Sequence, residues 1–133
     1  MNRTILAAAA LLAASPAFAT ELTFEITGIE SAEGHVLVAL YDETQFLKKP
    51  IKAFRLKPDK TLAGTFGDVP PGTYAVSVVH DENGNGRLDF NAVGFPIERY
   101  GFSNNPFLMG PPRFDDARIE VNGAARAIPI AVR

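Results

Sequence analysis

Oxygen-bearing side chains alternate through the segment from Asp81 to Asp89, around two glycines. In a calcium loop of the EF-hand type, ligands stand at positions one, three, five, seven and nine, and glycine stands at position six. Counted from Asp81, the glycine is Gly86, and the predicted ligands are the side chains of Asp81, Asn83, Asn85 and Asp89 and the carbonyl of Arg87. The spacing therefore predicts a Ca²⁺ site.

The strongest ligand of such a loop is missing from this sequence, because position twelve is Ala92 where a bidentate acid belongs. Glu98, or Asp115 and Asp116, could supply a further oxygen if the chain folds back. With two carboxylates and two amides, we expect the weak affinity of extracellular calcium modules, a Kd of about 10⁻⁴–10⁻³ M.

An ion-free interpretation of the same residues stays open. Asn83-Gly84 and Asn85-Gly86 are common turn dipeptides, because Asn and Gly tolerate positive φ. Asp81 and Asp89 can accept hydrogen bonds from nearby backbone N–H groups and so cap the turn without a metal.

The usual catalytic signatures are missing from the sequence. There is no cysteine, which excludes thiol nucleophiles, disulfides and cysteine-based metal sites. Nucleophile-elbow, zinc-protease, phosphate-loop and dinucleotide motifs are also missing. We therefore predict no catalytic residue. The alternative is a small hydrolase or isomerase that uses His80 and the adjoining Asp- and Asn-rich loop.

Residues 90–116 carry four prolines and no alternating pattern, so they read as one long loop. The loop holds six aromatic residues, which we expect to be buried in an ordered structure over one end of the domain. These residues are Phe90, Phe95, Tyr100, Phe102, Phe107 and Phe114.

Part of this loop has the composition of a ligand-binding loop, with aromatic rings for contact area and short polar side chains for hydrogen bonds. The candidate residues are Tyr100, Phe102, Ser103, Asn104 and Asn105. The favoured alternative is that the two rings plug one end of the domain and the asparagines cap turns. Exposure of the rings distinguishes the two interpretations.

Period-two alternation of apolar residues dominates the rest of the chain and predicts about seven short strands. The near-continuous apolar run from His35 to Tyr41 predicts a strand at the centre of a sheet. Residues 117–121 and 125–132 are expected to pair as a hairpin across Asn122-Gly123. The predicted fold class is all-β, an antiparallel β-sandwich with one long ordered loop.

The N-terminal residues have the features of an export signal: Arg3, an apolar run over 5–14, and the cleavage motif Ala17-Phe18-Ala19. We expect a signal peptide over residues 1–19, a single domain over 20–133, and a periplasmic or secreted location. Removal of Arg3 leaves twelve basic residues against fifteen acidic ones, a formal charge of −3. We therefore expect a monomer that has no transmembrane segment and does not bind nucleic acid.

Two stretches of the sequence resemble known families. "GTFGDVPPGTYAVSVVHDENGNG" is similar to the prealbumin-like and carboxypeptidase-regulatory-like sandwiches, in which such a strand precedes a polar loop. "VVHDENGNGRLDFNAVGFPIERYGFSNN", with the later "GPPRFDDA", resembles the bacterial family DUF2141 across nearly all of the mature chain. The resemblance implies an exported prealbumin-like or immunoglobulin-like sandwich with no established activity, and it carries over no catalytic residue.

Together these features predict an exported, non-enzymatic binding or accessory module of the cell envelope, whose partner is an envelope protein or a glycan. The Ca²⁺ loop would stiffen the long aromatic loop in this interpretation.

Overall fold

The computed structural model describes residues 19–133, which fold into two β-sheets packed face to face. This described part contains eight strands where the sequence predicted about seven, and the predicted all-β sandwich is confirmed. One short helix, α1, spans Phe114–Ala117. The strands are β1 (Thr20–Thr27), β2 (His35–Asp42), β3 (Lys52–Leu56), β4 (Thr61–Val69), β5 (Gly72–Asp81), β6 (Tyr100–Phe102), β7 (Ile119–Val121) and β8 (Arg126–Ala131).

The first sheet has the strand order β4-β1-β8, and the second has the order β3-β2-β5-β6. β7 pairs with the beginning of β5, whereas β6 pairs with its middle. β1 and β8 run parallel, and the other pairings within residues 19–133 are antiparallel. β2 lies between β3 and β5, as its apolar run predicted.

The predicted hairpin of the last two strands is wrong. β7 pairs with β5 in the second sheet, and β8 pairs with β1 in the first. Residues 122–125 therefore cross from one sheet to the other, with Gly123 at a φ of 97°. Ile119 and Ile128, on the two strands, face the same core from opposite sheets, and this burial outweighs the local preference of Asn-Gly for a hairpin.

The core lies between the two sheets and is built from alternate residues of the central strands. Leu22, Phe24 and Ile26 of β1 pack in one cluster with inward-facing residues of β2 and β5. The partners on those strands are Val36, Val38, Leu40, Val76 and Val78. Each such side chain contributes about 1.5–3 kcal/mol through burial.

Phe24 occupies the tightest part of this core. Its ring centroid lies 5.0 Å from that of Phe66 and 6.1 Å from that of Phe54. Gly64 of β4 stands opposite Phe24, and a Cβ at that position would lie 2.5 Å from the Phe24 ring. The glycine is therefore needed for the ring to reach the core.

A second, smaller cluster covers the other face of the second sheet at the end where β5 begins. Ala75, Phe102, Phe114 and Ala117 are buried there, and the half-buried Phe46 packs against them. The rings of Phe46 and Phe114 meet edge to face at 5.7 Å. This cluster anchors β6 and α1, so the long segment is ordered, as expected, although it is not free of regular structure.

The expectation that all six aromatic residues of 90–116 are buried is wrong. Phe102 and Phe114 are buried and Tyr100 is half-buried, but Phe90, Phe95 and Phe107 are 56%, 65% and 82% exposed. The second cluster contains the first two rings and Phe46, and Phe90, Phe95 and Phe107 do not belong to it.

No helix among residues 19–133 has the length and apolar character needed to cross a membrane. The predicted signal peptide falls almost wholly on residues 1–18, which lie outside the described residues, and its removal stays a prediction.

Phe24→Ala is expected to lower the free energy of unfolding by about 3–5 kcal/mol, because it leaves a cavity in a close-packed core. Phe107→Ala, which removes the same ring from an exposed position, should change it by less than about 0.5 kcal/mol. Urea denaturation of both variants measures the difference. Equal losses would contradict the described core.

Candidate functional site

The loop that follows β5 is organised around the carboxylate of Asp81, the fully buried last residue of that strand. One oxygen of Asp81 accepts the N–H of Asn85 at 3.2 Å, and the other accepts the N–H of Gly86 at 2.7 Å. Both oxygens therefore hold the turn through backbone N–H groups, as the ion-free interpretation requires.

Asn83 and Asn85 join the two ends of the loop. Their Nδ2 groups donate to the Asp89 carboxylate at 2.5 Å and 2.7 Å. Their side-chain oxygens accept the backbone N–H groups of Asn85 and Arg87, each at 3.1 Å. The polar groups of the loop thus bond to one another. The side-chain amides of Asn83 and Asn85 turn their nitrogens, not their oxygens, toward Asp89.

The pKa of the Asp89 carboxyl is lowered by these contacts. The largest cause is the hydrogen bond from Asn83, followed by that from Asn85. The Arg87 guanidinium adds a favourable charge, with its Nε 3.8 Å from the carboxylate.

Of the distant acids that could complete a calcium site, Glu98 does reach the loop. It is buried, and its Oε2 accepts the backbone N–H of Asp89 at 3.1 Å. Its Oε1 has no hydrogen-bond partner within residues 19–133. Asp115 and Asp116 pair instead with Arg118 and Arg113 on and beside α1.

Within the described residues, no three His, Asp or Glu side chains converge closely enough to hold a metal ion. The predicted calcium site also uses the side-chain amides of Asn83 and Asn85, which that criterion does not cover. The site therefore stays a prediction. Its residues are brought together, but in hydrogen bonds with one another.

His80, the residue of the hydrolase alternative, is fully buried in β5. Its Nε2 lies 2.9 Å from the carbonyl of Glu33, which can only accept, so Nε2 carries the proton. Its Nδ1 lies 3.8 Å from Glu82 and has no hydrogen-bond partner in the described chain. A substrate has no access to this ring, because His80 is not exposed.

The three polar residues of the predicted binding loop contact the protein backbone. Ser103 is buried, where its Oγ accepts the Val76 N–H at 3.0 Å and donates to the Ala117 carbonyl. Asn104 and Asn105 both adopt positive φ. Asn104 donates to the Arg118 carbonyl at 2.7 Å, and Asn105 accepts the N–H of Ala131 at 2.8 Å.

Through these hydrogen bonds, Ser103, Asn104 and Asn105 hold neighbouring backbone segments together, which is a structural role. Phe102 is buried and Tyr100 half-buried, so the two rings agree better with the plug than with an exposed platform. A ligand-binding part for the polar three stays a prediction.

The outer face of the second sheet, which is turned away from the core, carries mostly apolar side chains. Strand pairing places Leu37 of β2 beside Val79 of β5, and Val79 beside Tyr100 of β6. In the next row, Ala39 lies beside Ser77, and Ser77 beside Phe102. Ala39 and Ser77 in this second row have smaller side chains than Leu37 and Val79 in the first.

A groove with a volume of about 1040 Å³ lies over this face, and we call it the outer groove. The floor is made of β2, β3, β5 and β6. The walls are loop segments before β3, after β5 and after β6, and they contribute Leu47, Leu88, Phe90, Phe95, Leu108 and Met109. Two of the exposed aromatic rings, Phe90 and Phe95, thus border the groove.

The outer groove holds two charged side chains of the described chain, Arg55 of β3 and Arg87 of the loop after β5. No acidic residue among 19–133 lines it, and His80 does not line it either. The groove is therefore apolar with a cationic component.

The outer groove was missed by sequence reasoning, although β2 carried a signal for it. Leu37, Ala39 and Tyr41 point away from the core, yet they are as apolar as the inward residues of the strand. A strand that is apolar on both faces needs cover on both faces. The chain covers one end of the outer face and leaves the rest as the groove.

The family described as "Uncharacterized protein conserved in bacteria (DUF2141)" matches residues 24–129, from β1 to β8. The chain belongs to the DUF2141 family. The resemblance to DUF2141 read from the sequence is thereby confirmed. Neither the curated proteins nor the solved structures give a match to this DUF2141 chain.

In this DUF2141 protein, Asn85→Ala is expected to raise the pKa of Asp89 toward the ordinary value of about 3.9, because a donor to the carboxylate is lost. A lowered folded-state pKa adds stability above the unfolded pKa, and that stability disappears as the pH falls through the folded pKa. An NMR titration of the carboxyl carbons measures the pKa of Asp89 in the wild type and in the variant. Asn122→Ala, outside the loop, is the control, and an Asp89 pKa that does not move would refute the hydrogen-bond assignment.

Proposed function

We propose that the protein is an exported, non-enzymatic binding module of the cell envelope that holds an apolar small molecule in the outer groove. The groove itself carries this proposal. Its volume of about 1040 Å³ reaches the upper end of the range of about 300–1,000 Å³ that ligand pockets occupy.

Exposed apolar side chains at the border of the groove support the proposal. Phe95 is 65% exposed and Met109 is 90% exposed, and both line it. Apolar side chains gathered at a concave surface mark binding sites, because a ligand that covers them removes apolar area from water. An apolar ligand fits this lining better than the glycan that was one of the two partners expected from the sequence.

A binding function is favoured over the hydrolase alternative by the separation of His80 from the groove. General acid–base catalysis needs a titratable group within hydrogen-bond reach of the substrate. The groove lining supplies no His, Asp, Glu or Lys from residues 19–133, and the buried His80 lies elsewhere. Export to the periplasm or the medium is proposed from the N-terminal signal.

A neutral, apolar fluorescent dye such as N-phenylnaphthylamine is expected to bind the protein with an increase in fluorescence. Ala39→Phe places a ring in the floor of the groove and should weaken dye binding at least about tenfold, a loss of about 1.4 kcal/mol. Ala63→Phe is the matched control, since Ala63 is an exposed alanine on the first sheet. A dye titration of the three proteins measures the affinities. Equal binding by all three, or none by the wild type, would overturn the proposal.

We also propose that the loop from Asp81 to Asp89 takes up Ca²⁺ weakly. The support is the arrival of Glu98 at Asp89 with one buried oxygen unpartnered in the described residues. Rotation of the Asn83 and Asn85 amides by half a turn would direct their oxygens toward the position that Asp89 faces. The rotation breaks the hydrogen bonds that these oxygens accept from the Asn85 and Arg87 N–H groups, a cost that is consistent with weak binding. Calcium prefers such a set of carboxylate and amide oxygens.

At a calcium concentration ten times Kd, the gain in stability is about 1.4 kcal/mol, so millimolar calcium should raise the melting temperature by a few degrees. Asp89→Asn should remove the rise, because it removes a charged ligand, whereas Asp115→Asn beside α1 should keep it. Differential scanning calorimetry with calcium and with a chelator measures the shift. Identical melting temperatures in the two conditions would reject the site.

A further inference from the structure

We propose that the ligand of the outer groove is a long-chain carboxylic acid, whose carboxylate meets Arg55 while its chain lies on the apolar floor. This inference rests on the proposed function, because it names the class of molecule that the same groove holds.

The charge of the groove is the first observation. The described residues that line it include two arginines and no acid, although the whole chain has a formal charge of −2. Both arginines are exposed, and two cations that line a groove without an acid favour an anionic ligand, since a guanidinium pairs with a carboxylate through charge-assisted hydrogen bonds.

The state of the two arginines is the second observation. Arg55 forms no ion pair with any residue of 19–133. Arg87 is 80% exposed, and its Nε stands 3.8 Å from the Asp89 carboxylate, which offsets part of its charge. About one uncompensated positive charge remains, which matches a carboxylate better than a phosphate of up to two negative charges.

The position of Arg55 is the third observation. Strand pairing places it directly beside Leu37, which is followed across the sheet by Val79 and Tyr100. Arg55 thus stands at the β3 edge of an apolar row. A molecule lying along this row has its charged end at Arg55 and its chain over the centre of the sheet.

The other edge of the groove carries the apolar side chains that would contact the far end of the ligand's chain. Leu108 and Met109 line it beside β6, and Phe102 forms its floor there. The groove therefore has Arg55 at its β3 edge and the apolar side chains of Phe102, Leu108 and Met109 at its β6 edge, as an amphiphile with one charged end requires.

The test is displacement of the neutral dye at neutral pH by three compounds of the same chain length: palmitic acid, cetyl alcohol and cetyl phosphate. Below their aggregation concentrations, palmitic acid is expected to bind the wild-type protein at least about tenfold more tightly than the alcohol, and more tightly than the phosphate. Arg55→Met should remove the preference for the acid over the alcohol, with each affinity calculated from displacement against the variant's own affinity for the dye. Arg126→Met, on the first sheet, should keep that preference.

The outcomes separate the two proposals. If the dye binds in the groove and the acid is no better than the alcohol, the carboxylate inference fails and the proposed binding function stands. If the phosphate binds as tightly as the acid, or if Arg55→Met keeps the preference, the assignment of the carboxylate to Arg55 is overturned. If the dye does not bind to the wild type, the binding function fails and the inference fails with it.

Discussion

The pairing of β2 with β5 at the centre of the second sheet is the interaction on which the rest of the structure depends. β2 is apolar on both faces, and β5 adds Ala75 and Val79 to the face turned away from the core, so the sheet needs burial on both sides. Val38 and Val78 are paired on the inner face of this sheet, where the first sheet covers them. Leu37 and Val79 lie on the opposite face, where loops and aromatic rings cover only part of the surface. The fold and the groove therefore have one cause.

The strands could be predicted from alternation, because burial of one face imposes a period of two wherever a strand covers the core. The partners of the last two strands could not. Asn122-Gly123 favours a hairpin locally, but the open edges of β1 and β5 lie in different sheets, and each accepts one strand. The choice is made by long-range burial of Ile119 and Ile128, which no local signal carries.

The candidate site was predicted in part. The residues from Asp81 to Asp89 do converge, because Asp81 holds the turn and Asp89 closes it. Their spacing predicted metal ligation, whereas their contacts in the structure are hydrogen bonds within the turn. The same asparagine amides can serve either purpose. Composition made Ser103 and Asn105 candidates for ligand binding, with turn capping as the favoured alternative for the asparagine. Composition could not identify the backbone groups that they contact, because those groups belong to elements distant in sequence.

We propose that this DUF2141 protein binds its ligand on the outer face of the second sheet and not in the polar loop. The most direct measurement is an NMR search for intermolecular NOEs between a neutral apolar ligand and the methyl groups of the protein. NOEs to the methyl groups of Leu37, Ala39 and Val79 are predicted, because these side chains form the floor of the groove. NOEs confined to Ala63 and Ala127 on the first sheet, with none to the floor, would contradict the account.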